Sequence, residues 1–177
     1  MKTVFSVILL SILVVFNTQR AQAGANDERL DIYWVDVEGG AATLIVTPQG
    51  ESILIDTGNP GIRDPQRIFN VVTREARLTK IDHLITTHYH RDHYGGASQL
   101  SKMISLGTVW DNGKFEGMPD DPGEDYFTFK AEARRVINPG TELPLKQTAK
   151  DAGNRRIPLS FTCLGTRKNF IPAPRRA

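Results

Sequence analysis

The sequence predicts a mixed α/β domain whose sheet combines a hairpin with crossover connections. Short runs rich in β-branched residues alternate along the chain with stretches of helical periodicity. Two apolar runs, 42–47 and 52–55, flank Pro48-Gln49-Gly50, a sequence typical of a short hairpin loop. A third run, 81–86, comes after a predicted helix and therefore joins the sheet through a crossover. Hairpin and crossover links together indicate a mixed sheet with helices packed on it.

The predicted elements begin with a strand. The segment from Asp31 to Val37 alternates weakly and is rich in strand-forming residues, and Gly39-Gly40 behind it allows a sharp turn. After the hairpin, Asn59-Pro60-Gly61 interrupts the sheet, and apolar residues at helical spacing predict a helix from Pro65 to Leu78. Further along we expect a strand, a helix and a short strand at 81–86, 96–104 and 108–110.

Beyond Trp110 the pattern predicts a long loop followed by a helix. Residues 117–123 are rich in Gly, Pro and Asp, which favour turns. The apolar residues between Glu124 and Val136 fit one face of a helix, and Asn138-Pro139-Gly140 is expected to end it.

The first 23 residues have the features of an export signal. Lys2 provides the positive end, Val4 to Phe16 is an apolar run of 13 residues, and Ala21-Gln22-Ala23 is a small-x-small cleavage site. We expect cleavage before Gly24 and a soluble exported protein, periplasmic or extracellular in a bacterium. A retained membrane anchor is the alternative, but 13 apolar residues are short for a helix that spans a bilayer.

The most informative segment runs from His88 to His93 and holds three of the four histidines. It follows the predicted crossover strand and precedes Gly95-Gly96, so it is mounted between a buried strand and a turn into a helix. In an extended loop His88 and His90 project to the same side, because side-chain direction alternates. Asp92 and His93 come after them and can turn toward a second ion. Imidazole with carboxylate suits Zn²⁺, with Mn²⁺ and Fe as alternatives, and a polar loop without metal is the less favoured interpretation.

Two further side chains are given structural roles. His83 precedes the histidine-rich loop and is expected to face solvent or to cap the sheet edge. Cys163 is the one cysteine, so it cannot form an internal disulfide, and a passive thiol is favoured over a bond between chains.

The pattern His-x-His-x-Asp-His after a strand ending in Thr-Thr resembles the signature of the metallo-β-lactamase superfamily of metallo-hydrolases. The segment from Leu30 to Ala42 resembles the family's opening strand and turn, especially in the branch that includes the hydrolase-like domain of bacterial competence proteins. The segment from Ser52 to Gly58 resembles the strand whose aspartate supports the metal centre. The resemblance covers about Leu30 to Leu145 and implies an αββα sandwich of which only the N-terminal half is complete.

The resemblance also implies a site and a mechanism. His88 and His90 would bind one Zn²⁺ ion, and Asp92 and His93 a second. A hydroxide bridging the two ions would be the nucleophile, because bound cations lower the pKa of water. Asp92 would also be catalytic, by steering a proton to the leaving group. Asp56 would accept an N–H from a ligand histidine and fix its tautomer; a turn-forming carboxylate is its alternative role.

The C-terminal residues differ in character from the rest of the chain. Residues 147–177 hold seven Lys or Arg against one acid, whereas residues 24–146 are mildly acidic. The family's fold brings further ligands from a second half, but no histidine follows His93. We therefore expect a signal peptide at 1–23, a partial metallo-β-lactamase-like domain at 24–146 and a basic, irregular tail at 147–177, in a member that is C-terminally truncated or frame-shifted.

Two classes of function stay open. The first is a metal-dependent hydrolase of a small-molecule ester, lactam, lactone or thioester, or of a phosphodiester. The second is a non-catalytic metal-binding fragment, or a subunit whose site a partner completes. Nucleic acid is a less favoured partner of the basic tail, because charge runs are usually solvated. No stable membrane anchor is expected after signal cleavage, and the sequence does not indicate an oligomeric state. Phosphate-loop, dinucleotide and zinc-ribbon motifs are absent from the sequence.

Overall fold

The apolar runs assemble into one mixed sheet in the computed structural model, which describes residues 29–116, 118, 120–146, 150, 153–155 and 158–172. Its strands are β1 (Asp31–Trp34), β2 (Thr43–Val46), β3 (Ser52–Ile55), β4 (Lys80–Ile85), β5 (Ser105–Asp111) and β6 (Ala133–Val136). They lie side by side in chain order. The pairs β1–β2 and β2–β3 are antiparallel, and the pairs from β3 to β6 are parallel. The predicted mixed α/β sheet is confirmed.

The hairpin between β2 and β3 closes as the sequence indicates. The Thr47 hydroxyl accepts hydrogen bonds from the backbone N–H groups of Gln49 and Glu51, at 3.3 and 3.1 Å. Gly50 takes a positive φ of 71°, which glycine adopts without a steric penalty. These contacts set the register in which Leu44 faces Leu54 and both side chains are fully buried.

The crossover between β3 and β4 contains α1 (Arg63–Asn70), which continues into a π-helical turn at Val71–Glu75. The Ala76 N–H donates to the Val71 carbonyl five residues earlier, at 2.9 Å. Ile68 lies on the buried face of this element. The predicted helix from residue 65 to 78 is therefore present, but its last turn is wider than an α-helix.

Two short helices follow β4: α2 (Arg91–Tyr94) and α3 (Ala97–Leu100). The helix expected at 96–104 is shorter than predicted, because the chain passes into turns after Leu100. Leu100 itself is fully buried against the helical side of the sheet.

The helix predicted from Glu124 to Val136 is wrong over its second half. The structure has α4 (Glu124–Thr128), and the chain then becomes extended at Phe129, with φ −60° and ψ 151°. The Glu132 N–H bonds to the carbonyls of Leu106 and Gly107 and so begins the pairing of β6 with β5. The free edge of β5 offers these bonds, and such long-range pairing overrides the weak local helical pattern.

The two faces of the sheet carry separate apolar clusters. The larger cluster lies under the helices and includes Leu54, Leu84 and Val109. The second lies on the opposite face and includes Ile53 and Trp110. Since strand side chains alternate, each strand contributes to both clusters.

His83 lies within the second face rather than in solvent, which corrects the prediction for this residue. Its side chain is 7% exposed, and its Nδ1 accepts a hydrogen bond of 3.2 Å from the Trp110 indole N–H. Its Nε2 lies 3.4 Å from the Glu51 carboxylate, which is also buried. Of the two ring nitrogens, Nδ1 is hydrogen-bonded, whereas Nε2 is near Glu51 but makes no hydrogen bond among the described residues.

The C-terminal segment is more regular than predicted over residues 158–172. It contains a small antiparallel pair, β7 (Gly165–Thr166) and β8 (Asn169–Phe170). Leu143 N–H donates to the Phe161 carbonyl at 3.0 Å, which ties the segment to the domain. The predicted signal peptide and residues 173–177 lie outside the described residues. Within the described part of the chain, no helix has the length and apolar character needed to cross a bilayer.

Candidate metal centre

The predicted ligand loop lies at the carboxyl ends of the parallel strands. Asp56 directly follows β3, and His88 comes three residues after the end of β4. Asn112 follows β5 and donates a 3.3 Å hydrogen bond from its side-chain amide to the Thr87 carbonyl. This edge is where open α/β sheets bind their ligands, because loops from neighbouring strands converge there.

Two other loops hold the backbone of the ligand loop in place. The Thr57 N–H and hydroxyl both donate to the His93 carbonyl, at 2.6 and 3.0 Å. The Ala41 N–H donates to the Asp92 carbonyl at 3.1 Å. The turn after β1 and the end of β3 therefore fix the positions of Asp92 and His93.

Glycine is required where the backbones approach most closely. A Cβ on Gly96 would lie 2.2 Å from the Thr57 carbonyl oxygen, and one on Gly40 would lie 2.5 Å from the Asp92 carbonyl oxygen. Both distances are far inside van der Waals contact, so these glycines permit the loops to pack.

We expect Gly96→Ala to lower the free energy of unfolding by about 1–3 kcal/mol, because its methyl group would overlap a backbone oxygen that cannot move freely. Urea denaturation followed by circular dichroism measures the change. Gly39→Ala is the matched control, since a Cβ there meets nothing within 4 Å. Equal stability of the Gly96 and Gly39 variants would contradict the packing described.

The buried Asp56 carboxylate contacts both Thr87 and His93. Its side chain is 2% exposed, and its backbone takes a positive φ of 60°, a conformation that Asp tolerates better than most residues. One carboxylate oxygen accepts from the Thr87 N–H at 2.8 Å. The other accepts from the Thr87 hydroxyl at 2.7 Å and contacts His93 Nδ1 at 2.8 Å. Because a carboxylate can only accept, His93 carries a proton on Nδ1, and the neutral form of the ring therefore has its lone pair on Nε2.

The same logic assigns the proton of His88. Its Nδ1 lies 3.0 Å from the Thr87 hydroxyl, whose single hydrogen is already donated to Asp56. His88 Nδ1 therefore donates, and Nε2 is left as an acceptor. Desolvation, together with the nearby His93 and His90 rings, lowers the pKa of His88, which favours the neutral ring that a metal requires.

The structure brings the four predicted ligands together. The His88 ring centroid is 4.0 Å from that of His93 and 4.5 Å from that of His90. His93 Nε2 lies 3.8 Å from the Asp92 carboxylate. Within the described ranges, no three His, Cys, Asp or Glu side chains are arranged as a metal-binding group. The side chains of the loop would therefore have to move closer together to bind an ion.

Sequence reasoning missed Asp120 at this site. Asp120 reaches back from the loop after β5, and its carboxylate lies 3.2 Å from His90 Nε2. It stands among other acids in a segment rich in turns, and no spacing links it to the histidines. Only the path of the loop in space brings it near.

The donor chemistry fits a divalent transition metal. In their neutral forms, His88 and His93 leave Nε2 unprotonated. The Asp120 carboxylate lies 3.2 Å from His90 Nε2, and the Asp92 carboxylate lies 3.8 Å from His93 Nε2. Zn²⁺ binds neutral imidazole and carboxylate, and proteins commonly orient such histidines through a carboxylate on the other ring nitrogen. The contact between Asp56 and His93 is of this kind and supports the role expected for Asp56.

A buried polar network supports the strand end beneath the ligand loop. Asp111 is 1% exposed and accepts 2.7 Å and 3.1 Å hydrogen bonds from Arg134 and the Tyr126 hydroxyl. The same hydroxyl lies 2.8 Å from the Thr86 hydroxyl. The Arg134 guanidinium also stacks 5.0 Å from the Tyr126 ring centroid. Burial raises the pKa of the Tyr126 hydroxyl, so it stays protonated and acts as a donor.

The chain is similar to several known proteins. A family model described as the metallo-beta-lactamase superfamily matches residues 35–160. A UPF0173 metal-dependent hydrolase from Polynucleobacter asymbioticus is 33% identical over 102 residues, which are 56% of this chain and 33% of that protein. An atrochrysone carboxyl ACP thioesterase from Emericella nidulans is 29% identical over 104 residues, which are 57% of this chain and 33% of that protein.

Among solved structures, the chain is similar to MEM-A1, a subclass B3 metallo-beta-lactamase isolated from a soil metagenome library. The identity is 25% and the TM-score 0.46, and the match covers 71% of this chain and 47% of that chain. The chain thus spans about half of this structure and a third of each of those two curated relatives.

Proposed function

The chain belongs to the metallo-beta-lactamase superfamily, and from that premise we propose that it is a metal-dependent hydrolase whose ions bind at the 88–93 loop. The observation that carries the proposal is the pair of imidazoles, His88 and His93, whose Nδ1 contacts leave both Nε2 atoms free to bind metal. The relative described as a metal-dependent hydrolase supports the same assignment.

The proposed ligands are His88 and His90 for one ion and Asp92 and His93 for the second, with Zn²⁺ as the ion and Mn²⁺ or Fe as alternatives. Bound ions of this kind supply an activated water nucleophile and polarise the carbonyl or phosphoryl oxygen of a substrate. Asp56 holds the His93 ring in its metal-binding tautomer. Asp92, whose side chain is 40% exposed, would pass a proton to the leaving group.

The proposed substrates are esters, lactams, lactones, thioesters or phosphodiesters, which share an electrophilic centre bearing a polarisable oxygen. The thioesterase among the relatives supports keeping thioesters in this set. The His90 side chain is 60% exposed, so the loop is accessible to a scissile group carried on a larger molecule.

A second candidate function is a non-catalytic metal-binding protein, or a subunit whose site a partner completes. It is favoured by one observation, that the described residues include no ready-made group of three ligands. Activity of the purified chain alone separates the two candidates.

The test is a set of hydrolysis assays on the full chain loaded with Zn²⁺. Suitable substrates are a p-nitrophenyl ester, a thioester, a lactam and bis-p-nitrophenyl phosphate. We expect turnover of at least one substrate, and a loss of about a hundredfold or more in kcat/KM for His88→Ala. Lys102→Ala, a change at the exposed surface, is the control. Unchanged turnover in His88→Ala would contradict the proposal, and no turnover by loaded wild-type protein would favour the second candidate.

A further inference from the structure

We propose that Asp120 is an additional metal ligand, which binds the same ion as His88 and His90. The inference rests on the metal site of the proposed function and extends it to a residue outside the histidine motif. It is carried by the position of the Asp120 carboxylate against His90 Nε2, the ring atom that would face the ion.

The distance between His90 Nε2 and the nearer Asp120 oxygen is close to the distance between two ligand atoms on a tetrahedral zinc ion. Zn²⁺ binds imidazole nitrogen and carboxylate oxygen at about 2.0–2.1 Å, so two ligands at the tetrahedral angle are about 3.3 Å apart. His90 Nε2 and the nearer Asp120 oxygen are 3.2 Å apart. The distance between these two donor atoms is therefore compatible with their binding one ion.

The proposed third ligand, His88, lies beside the pair. A cavity of about 70 Å³ is lined by His88, Tyr89, His90, Asn112, Phe115 and Asp120. His88 is adjacent to His90, with ring centroids 4.5 Å apart.

The loop that carries Asp120 is closed at its ends by polar contacts. Lys114 Nζ lies 2.7 Å from the Glu124 carboxylate, which joins the beginning of the loop to α4. The Gly123 N–H donates to the Asp121 carboxylate at 2.8 Å and shapes the return of the chain. These contacts direct Asp120 toward the ligand loop while Asp121 is engaged locally.

With Asp120 included, one ion would have two imidazoles and a carboxylate. Three protein ligands and one open position are the usual arrangement of a catalytic zinc site. If the contact between His90 and Asp120 had only a structural role, it would add little to the stability of the fold. Both side chains are about half exposed or more, at 60% for His90 and 48% for Asp120. Exposed ion pairs contribute little to stability.

The test compares Asp120→Asn with Asp121→Asn in the full chain, because both changes remove one negative charge from neighbouring positions. Zn²⁺ affinity is measured by competition with a chromophoric chelator, and Co²⁺ spectra report the ligand geometry. We expect Asp120→Asn to weaken binding of one ion by about 10- to 100-fold and to reduce the intensity of the Co²⁺ visible bands. Asp121→Asn is expected to behave as wild type. Both variants should keep the wild-type urea midpoint.

The outcomes separate this inference from the proposed function. If wild type binds Zn²⁺ and His88→Ala does not, but Asp120→Asn binds as wild type does, Asp120 is not a ligand and the metal site stands. If Asp120→Asn and Asp121→Asn weaken binding equally, the effect is one of general charge and the assignment is overturned. If wild type itself binds no Zn²⁺ or Co²⁺, both the metal site and this ligand are wrong.

Discussion

Asp56→Asn is expected to lower zinc affinity by about 10- to 100-fold while the fold remains intact. The substitution keeps the size of the side chain, and Asn tolerates the positive φ at this position as well as Asp does. Its amide nitrogen, however, can only donate. Where the carboxylate accepted a hydrogen from His93 Nδ1, the Asn side chain meets that nitrogen with a donor of its own, or gives up its bond to Thr87 N–H.

The ring of His93 is expected to respond by moving its proton to Nε2. A protonated Nε2 has no lone pair for a metal, so the effect on binding exceeds the effect on stability. Zinc titration calorimetry measures the affinity, and ¹⁵N NMR of the imidazole reports the tautomer directly. Asp36→Asn is the control, because the same change there falls on a side chain that is 76% exposed. Unchanged zinc affinity and an unchanged His93 tautomer in Asp56→Asn would show that Asp56 does not orient the ring.

Asp111→Ala is expected to lower the free energy of unfolding by about 3–5 kcal/mol, which is the usual cost of removing one partner from a buried charge pair. Arg134, with 25% of its side chain exposed, would keep its charge without the carboxylate that lies 2.7 Å from it. The Gly113 N–H would also lose its 2.8 Å acceptor. The Tyr126 hydroxyl would retain only its contact with Thr86.

Chemical denaturation with fluorescence detection measures the Asp111 effect. Asp125→Ala makes the same chemical change at an exposed position of α4, where we expect a loss of about 1 kcal/mol or less. A loss in Asp111→Ala no larger than that in Asp125→Ala would mean that the buried pair adds nothing to stability.

Local signals in the sequence were sufficient for the first part of the sheet. The hairpin between β2 and β3 is confirmed, because its turn residues and apolar runs lie next to each other in the chain. The crossover helix is also present from Arg63, but its π-helical end at Val71–Glu75 has no signature in the apolar spacing. The residue pattern specifies which face is buried, and it does not specify the width of each turn.

Predictions were wrong where distant contacts decide the structure. Ala133–Val136 forms a strand because the edge of β5 is available to it, and periodicity counted from Glu124 contains no information about that edge. His83 is buried for a similar reason. Its strand is covered on both faces, and the two residues beside its ring nitrogens, Glu51 and Trp110, are far from it in sequence.

At the candidate site, too, some residues could be predicted from local sequence, whereas others depend on distant contacts. The four proposed ligands within the 88–93 loop could be predicted from their spacing, and Asp56 from a resemblance to a family strand. Asp120 and Asn112 could not be found in this way, because each is one polar residue in a loop. Their relation to the histidines depends on how the loop after β5 turns back over the ends of the strands.

The central claim is that the 88–93 loop binds metal, and metal content tests it most directly. The purified full chain is dialysed against Zn²⁺ and then against metal-free buffer, and zinc per chain is determined by plasma mass spectrometry beside His88→Ala. We expect about one or two ions per wild-type chain and a clear loss in the variant. Equal zinc content in the two proteins, or fewer than about one ion in ten wild-type chains, would contradict the assignment of a metal site to this loop.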